Sequence, residues 1–126
     1  MGVVEAKIQT VEGIYRLVWN AVASKRPMEA YYHGRRRLFC PHRLGRNQQG
    51  QLRVLCYQYG GESDSGLQAP DSAANWRCLA LQKLSKSEVT GWPWCTAPNY
   101  SHLASCVIDA DIDAEDHPVR DPQNGQ

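Results

Sequence analysis

The chain has 126 residues, 42% of them apolar and 21% charged, which suits one domain with a modest core and excludes a disordered polymer. No apolar run approaches the length that spans a bilayer, and the start Met1-Gly2-Val3-Val4-Glu5 has neither a basic n-region nor an apolar h-region. The expectation is a soluble, cytoplasmic protein with no membrane partner.

Residues 10–26 predict an amphipathic helix. Val11, Ile14, Tyr15, Val18 and Val22 recur at helical spacing, Thr10 is a good N-cap, and Glu12 suits the first turn. Lys25 and Arg26 suit the last turn, and Pro27 stops the helix. Trp19 lies off the centre of the stripe. The helix is expected to pack on a sheet, with Val11, Ile14, Val18 and Val22 buried.

The period then changes to two. Residues 28–33 and 35–40 predict strands joined by a tight turn at His33-Gly34. Arg35, Arg37 and Phe39 share one face of the second, and Arg36, Leu38 and Cys40 the other. Pro41 lacks a ladder donor, so this strand is expected to end there or to lie at an edge, with residues 45–50 as a polar loop. Residues 52–59 form the clearest strand: Leu52, Val54, Cys56 and Gln58 face one way, Arg53, Leu55, Tyr57 and Tyr59 the other. Residues 60–75 read as a long loop, 76–84 as a strand and 86–100 as irregular. Residues 105–113 predict a strand whose outer face carries Asp109, Asp111 and Asp113. The domain is expected over 1–113, with a polar tail over 114–126.

Charge is uneven behind a net value of +1. Between Lys25 and Arg53 eight Lys or Arg face one acid, Glu29, whereas from Glu88 onward seven acids face Arg120 alone. That pattern points to a basic face for phosphates and an acidic segment able to shield it, or to a solvated surface whose halves neutralise. The five cysteines form no CxxC pair, so five reduced thiols and no bound metal are expected. A zinc site from Cys40, His42, Cys95, His102 or Cys106 would lack the local ligand spacing of structural zinc.

One helix followed by about five short strands predicts a mainly β, α+β architecture: a strongly bent antiparallel sheet or small barrel with the helix packed on it. The ordered motifs Tyr32 to Gly45 (YHGRRRLFCPHRLG), Gly50, Val54 to Gln58 (VLCYQ), Gly61 to Gly66 (GESDSG) and Trp76-Arg77 resemble the small stand-alone WYL-domain proteins with a PHxLG…YQ…GxSxSG…W[KR] pattern. The resemblance covers about residues 11–100. It implies an SH3-like or Sm-like barrel and ligand sensing in bacterial transcription control or phage defence, with a nucleotide or single-stranded nucleic acid as ligand and no cofactor. Carried over, the ligand-facing positions are Arg37, His42, Tyr57 and Gln58, then Ser63, Ser65 and Arg77. Two departures stand out: the naming triplet is Arg53-Val54-Leu55, and a later arginine and aspartate are Ala80 and Gln82. No helix-turn-helix precedes the domain, so a DNA-binding or effector partner must be another chain.

Each candidate has a plainer reading. Arg37 can be a solvated strand arginine, His42 a turn histidine bonded to backbone, and Tyr57 and Trp76 core residues instead of surfaces for a base. Cys40 and His42, two apart, can share a side as thiol and base, but no third orienting group is identifiable, so an enzyme is not expected. The ligand reading requires Arg37, His42 and Tyr57 to converge on one concave surface near the Gly45 to Gly50 loop. Opposite placement of Arg37 and His42 favours the alternative, a protein–protein interaction or homo-oligomerisation module using strand edges or the Trp92-Pro93-Trp94 patch.

Overall fold

The computed structural model describes residues 9–62, 75–96 and 105–115. Helix α1 (Val11–Ser24) begins where its cap dictates: Thr10 Oγ1 accepts the Gly13 N–H at 3.0 Å. It stops earlier than Pro27 alone would require. Lys25 adopts a left-handed conformation (φ 53°), and the N–H groups of Lys25 and Arg26 return to the carbonyls of Val22 and Ala21. Both cations therefore lie beyond the helix and not in its last turn. Ile14, Val18 and Val22 are buried, joined by Ala21. Val11 is 38% exposed, contrary to expectation, because it has the right wheel angle but is the helix's first residue.

Among the described residues six strands follow: β1 (Met28–Tyr32), β2 (Arg35–Arg46), β3 (Leu52–Gly61), β4 (Trp76–Ala80), β5 (Leu84–Val89) and β6 (Asp109–Asp113). All pairings are antiparallel, in the order β4-β3-β2-β1-β5, with β6 on β2. The mainly β architecture with one N-terminal helix is thus as expected, and the bent-sheet form applies: the sheet does not close into a barrel.

Several boundaries differ from the sequence reading. β2 runs through Pro41 to Arg46, well past the expected end at Cys40. Pro41 sits where β2 changes neighbours: β1 pairs it as far as Phe39, β6 from Arg43 onward, and its β3 pairing shifts register between Pro41 and Arg43. A missing ladder donor is least disruptive at such a bulge. Gly45 consequently lies within the strand, where an added Cβ would be 2.1 Å from the Asp109 carbonyl oxygen, and the turn moves to Asn47–Gln51, held by Asn47 Oδ1 on two backbone N–H groups. The expected strand 76–84 breaks at a 3-10 turn (Leu81–Lys83), and β5 occupies part of the stretch expected to be irregular. β5 is a polar edge strand whose Ser87 backbone is closed by the Gln9 carboxamide, at 2.7 and 2.8 Å.

β6 is shorter than 105–113, and its acids are not all outward. Asp111 and Asp113 are buried, while Ile108 is 59% exposed. Tyr15 donates to Asp111, Arg46 reaches the same carboxylate at 3.3 Å, and Arg43 pairs with Asp113 at 2.6 Å. Partners from α1 and β2 make burial of these charges affordable. Of the expected tail, Ala114 and Glu115 are described, and Ala114 N–H bonds the His42 carbonyl.

The sheet is covered on both sides. On the helix side Ile14, Val18, Met28, Phe39, Leu44, Val54, Leu79 and Ile112 form the main core. On the other side Leu55, Tyr57, Trp76, Cys106 and Val107 form a smaller one.

Candidate functional site

Strand register decides which candidates can meet. Ala30 pairs with Arg37, Phe39 with Gln58, and Cys56 with Arg77, so Arg37, Gln58 and Arg77 all lie on the helix side. Cys40 pairs with Tyr57, and Tyr57 with Trp76, on the opposite side. His42, in the bulge, stacks its ring against Trp76 (centroids 4.7 Å apart) and Trp94 (4.6 Å), so it belongs with Tyr57. The expected convergence of Arg37, His42 and Tyr57 does not occur. Ser63 and Ser65 lie outside the described residues.

Arg37 is not the solvated strand arginine of the plainer reading. It is 4% exposed, its guanidinium lies 5.2 Å from the Tyr32 ring centroid, and Nη1 donates to Gln58 Oε1 at 3.3 Å. Its buried Nε has no hydrogen-bond partner among the described residues. Gln58 is fixed from both ends of its amide: Nε2 donates to the carbonyls of Gly60 (2.9 Å) and Glu62 (2.8 Å), leaving Oε1 for Arg37. Arg77 is half-buried on the same face. Burial lowers its guanidinium pKa, and the positive charge of Arg37 adds to that effect. Between the two cations lies Cys56, whose thiol is pushed up strongly by its burial.

The opposite side is an aromatic cluster around a neutral histidine. His42 Nδ1 lies 2.8 Å from the Cys40 carbonyl oxygen, so it must carry the proton and donate. Nε2, 2.9 Å from Thr96 Oγ1, then accepts. Burial lowers the His42 pKa to about 4, and burial raises Cys40 to about 12. Both shifts run against a thiolate–imidazolium pair, although the two residues share a side. Tyr57 rests edge-on against Trp76 at 5.3 Å, and its buried hydroxyl has no hydrogen-bond partner among the described residues.

The thiol expectation is corrected in part: Cys78 and Cys106 form a disulfide, whereas Cys40, Cys56 and Cys95 are free. The two partners are 28 residues apart, so no short Cys spacing marks the bond in the sequence. Among the described residues no three His, Cys, Asp or Glu side chains group as a metal site would require, and His102 lies outside them. No described helix is long and apolar enough to cross a membrane.

Three contributors were missed. Tyr32 shares the parity of Ala30 and Met28, which places it beneath Arg37. Trp94, noted in the sequence only for the Trp92-Pro93-Trp94 patch, and Thr96 lie far from His42 in sequence, and no local signal links either to it. No family model matches the chain, and no curated protein or solved structure matches it significantly.

Proposed function

We propose that this chain is a non-enzymatic, ligand-sensing regulatory module that binds a phosphate-bearing ligand through Arg37, with Gln58 and Arg77 on the same face. The observation that carries the reading is Arg37 itself: a buried guanidinium, aimed by Gln58 and Tyr32, with no partner for Nε and no ion pair among the described residues. An uncompensated buried cation costs several kcal/mol, and a bound phosphate would offset that cost with charge and fork geometry. The WYL-like motifs add a nucleotide or single-stranded nucleic acid as ligand. They also add action in bacterial transcription control or phage defence through a separate DNA-binding or effector chain. His42 and Tyr57 leave this site.

The test is titration of a nucleotide panel and single-stranded oligonucleotides against wild type, Arg37→Ala, Arg37→Lys and the control Arg120→Ala. Loss of a charged hydrogen bond, about 1.5–3 kcal/mol, should weaken Arg37→Ala by roughly 10- to 150-fold and leave the control unchanged. Because Arg37 is buried, each variant is first checked by circular dichroism, and Arg37→Lys keeps the charge without the fork. Unchanged binding in Arg37→Ala, or none by wild type at low salt, refutes the reading.

The interaction-module reading gains from the opposite placement of Arg37 and His42 and from Trp92, 59% exposed. Sedimentation of wild type against Trp92→Ser tests it, with loss of an assembly as the supporting result. A cytoplasmic location stays part of the main proposal, but the Cys78–Cys106 bond counts against it, since such bonds persist mainly in oxidising compartments. Alkylation of thiols at the moment of cell lysis decides: modified Cys78 and Cys106 support the cytoplasm.

A further inference from the structure

With Cys78 and Cys106 bonded, three thiols remain, and they are not equivalent. Cys56 is enclosed on the helix side. Cys40 and Cys95 meet on the other side, where the Cys95 N–H points at Cys40 Sγ from 3.1 Å. The segment carrying Cys95 is held on both flanks: Trp94 stacks on His42, and Thr96 bonds His42 Nε2. Bond lengths plus that contact keep the two Cα atoms within about 7 Å, the upper end of the span a disulfide bridges. Exposure differs sharply, since Cys40 is fully buried and Cys95 half-exposed.

We propose that Cys40 and Cys95 form an oxidation-sensitive dithiol, in which Cys95 meets a hydroperoxide and Cys40 resolves the product as a second intramolecular disulfide. Cys95 Sγ gives its proton to solvent and attacks one peroxide oxygen. An S–O bond forms, the O–O bond breaks, and the departing hydroxide takes up a proton to become water. Cys40 Sγ then attacks the sulfenic sulfur: the S–S bond forms, the S–O bond breaks, and the leaving hydroxide carries off the Cys40 proton as water. Two thiols lose two electrons, and one hydrogen peroxide becomes two waters. Burial keeps Cys40 from the oxidant and holds its thiol protonated, which assigns first attack to Cys95. The product ties the Trp94–Thr96 segment covalently to β2, fixing it over His42 and Trp76.

The experiment treats the full chain with hydrogen peroxide, blocks remaining thiols, and maps peptides without reduction. The expected result is a mass loss of about 2 Da and a Cys40–Cys95 linked peptide beside the Cys78–Cys106 one. Cys95→Ser should lose the link and leave Cys40 unmodified at the same peroxide dose. Cys40→Ser should strand Cys95 as a sulfenic acid that a 1,3-dicarbonyl reagent captures. If Cys40→Ser does not fold, the wild-type map and Cys95→Ser decide. Cys95 oxidised to sulfinic acid with no link to Cys40, or linked instead to Cys78 or Cys106, overturns the proposal.

Discussion

Acid should loosen this protein through one residue. Burial holds His42 at a pKa of about 4, outweighing the upward pull of the Cys40 carbonyl and of Asp113, with Lys25 adding a small downward effect. In the unfolded chain the same imidazole titrates near 6.5. Between those values the unfolded state binds a proton that the folded state refuses, so stability rises with pH across the window. The contribution is complete above about pH 6.5 and is lost progressively as the pH falls to about 4. At 1.36 kcal/mol per unit, a difference of about 2.5 units is worth about 3 kcal/mol, a large share of a small domain's stability. His42→Asn keeps an N–H able to reach the Cys40 carbonyl and removes the titration. Urea unfolding followed by tryptophan fluorescence, at unit steps from pH 4 to pH 8, measures both proteins. The variant should start less stable, and its curve should be flatter by about 3 kcal/mol. Glu29, whose carboxyl Arg36 holds below its usual value, loses its contribution at lower pH in both proteins and cancels in the difference. Equal losses in wild type and variant between pH 7 and pH 4 would refute the argument.

Two further outcomes follow from the same geometry. Replacing Cys78 and Cys106 by Ser removes a closure of 28 residues, worth about 3.5 kcal/mol on the chain-entropy account, and urea midpoints with and without reductant measure it. Gly45→Ala drives a Cβ against the Asp109 carbonyl, so β6 must move; a loss of about 1–3 kcal/mol and faster amide exchange across Asp109–Asp113 are expected.

The parts legible in the sequence are those where local chemistry and tertiary need coincide. Thr10 and the apolar stripe set α1, and the alternation from Leu52 to Tyr59 fixed both faces of β3. Where the two conflict, the local rule misled. Pro41 marked a strand end, yet the fold placed it at a change of neighbours. That error concealed a simple parity fact, since Arg37 and His42 are five apart and a strand continuing through Pro41 sends them to opposite sides. β5 had no apolar alternation because its edge is polar. Asp111 and Asp113 looked like solvent residues because their partners, Tyr15, Arg46 and Arg43, come from distant elements.

Those pairings also change what the basic stretch can do. Among the described residues Arg36 is paired with Glu29 at 2.8 Å, Arg46 with Asp111 and Arg43 with Asp113, so at least three of its eight cations are engaged by carboxylates. These pairs neutralise part of the basic face; what is distinctive is the buried Arg37, with Arg77 across Cys56. A polyelectrolyte surface that releases many counterions loses affinity steeply with salt, whereas a site of one or two guanidiniums does not. For a single strand, one or two phosphate contacts imply a log–log salt slope of about −0.7 to −1.4. Measuring oligonucleotide affinity over a roughly fourfold salt range, from about 50 to about 200 mM, therefore separates the two pictures. A slope steeper than about −3 would mean that exposed residues such as Lys25, Arg26 and Arg35 carry the binding and that Arg37 is a structural cation. A shallow slope that flattens further in Arg37→Ala would place the phosphate at the buried guanidinium.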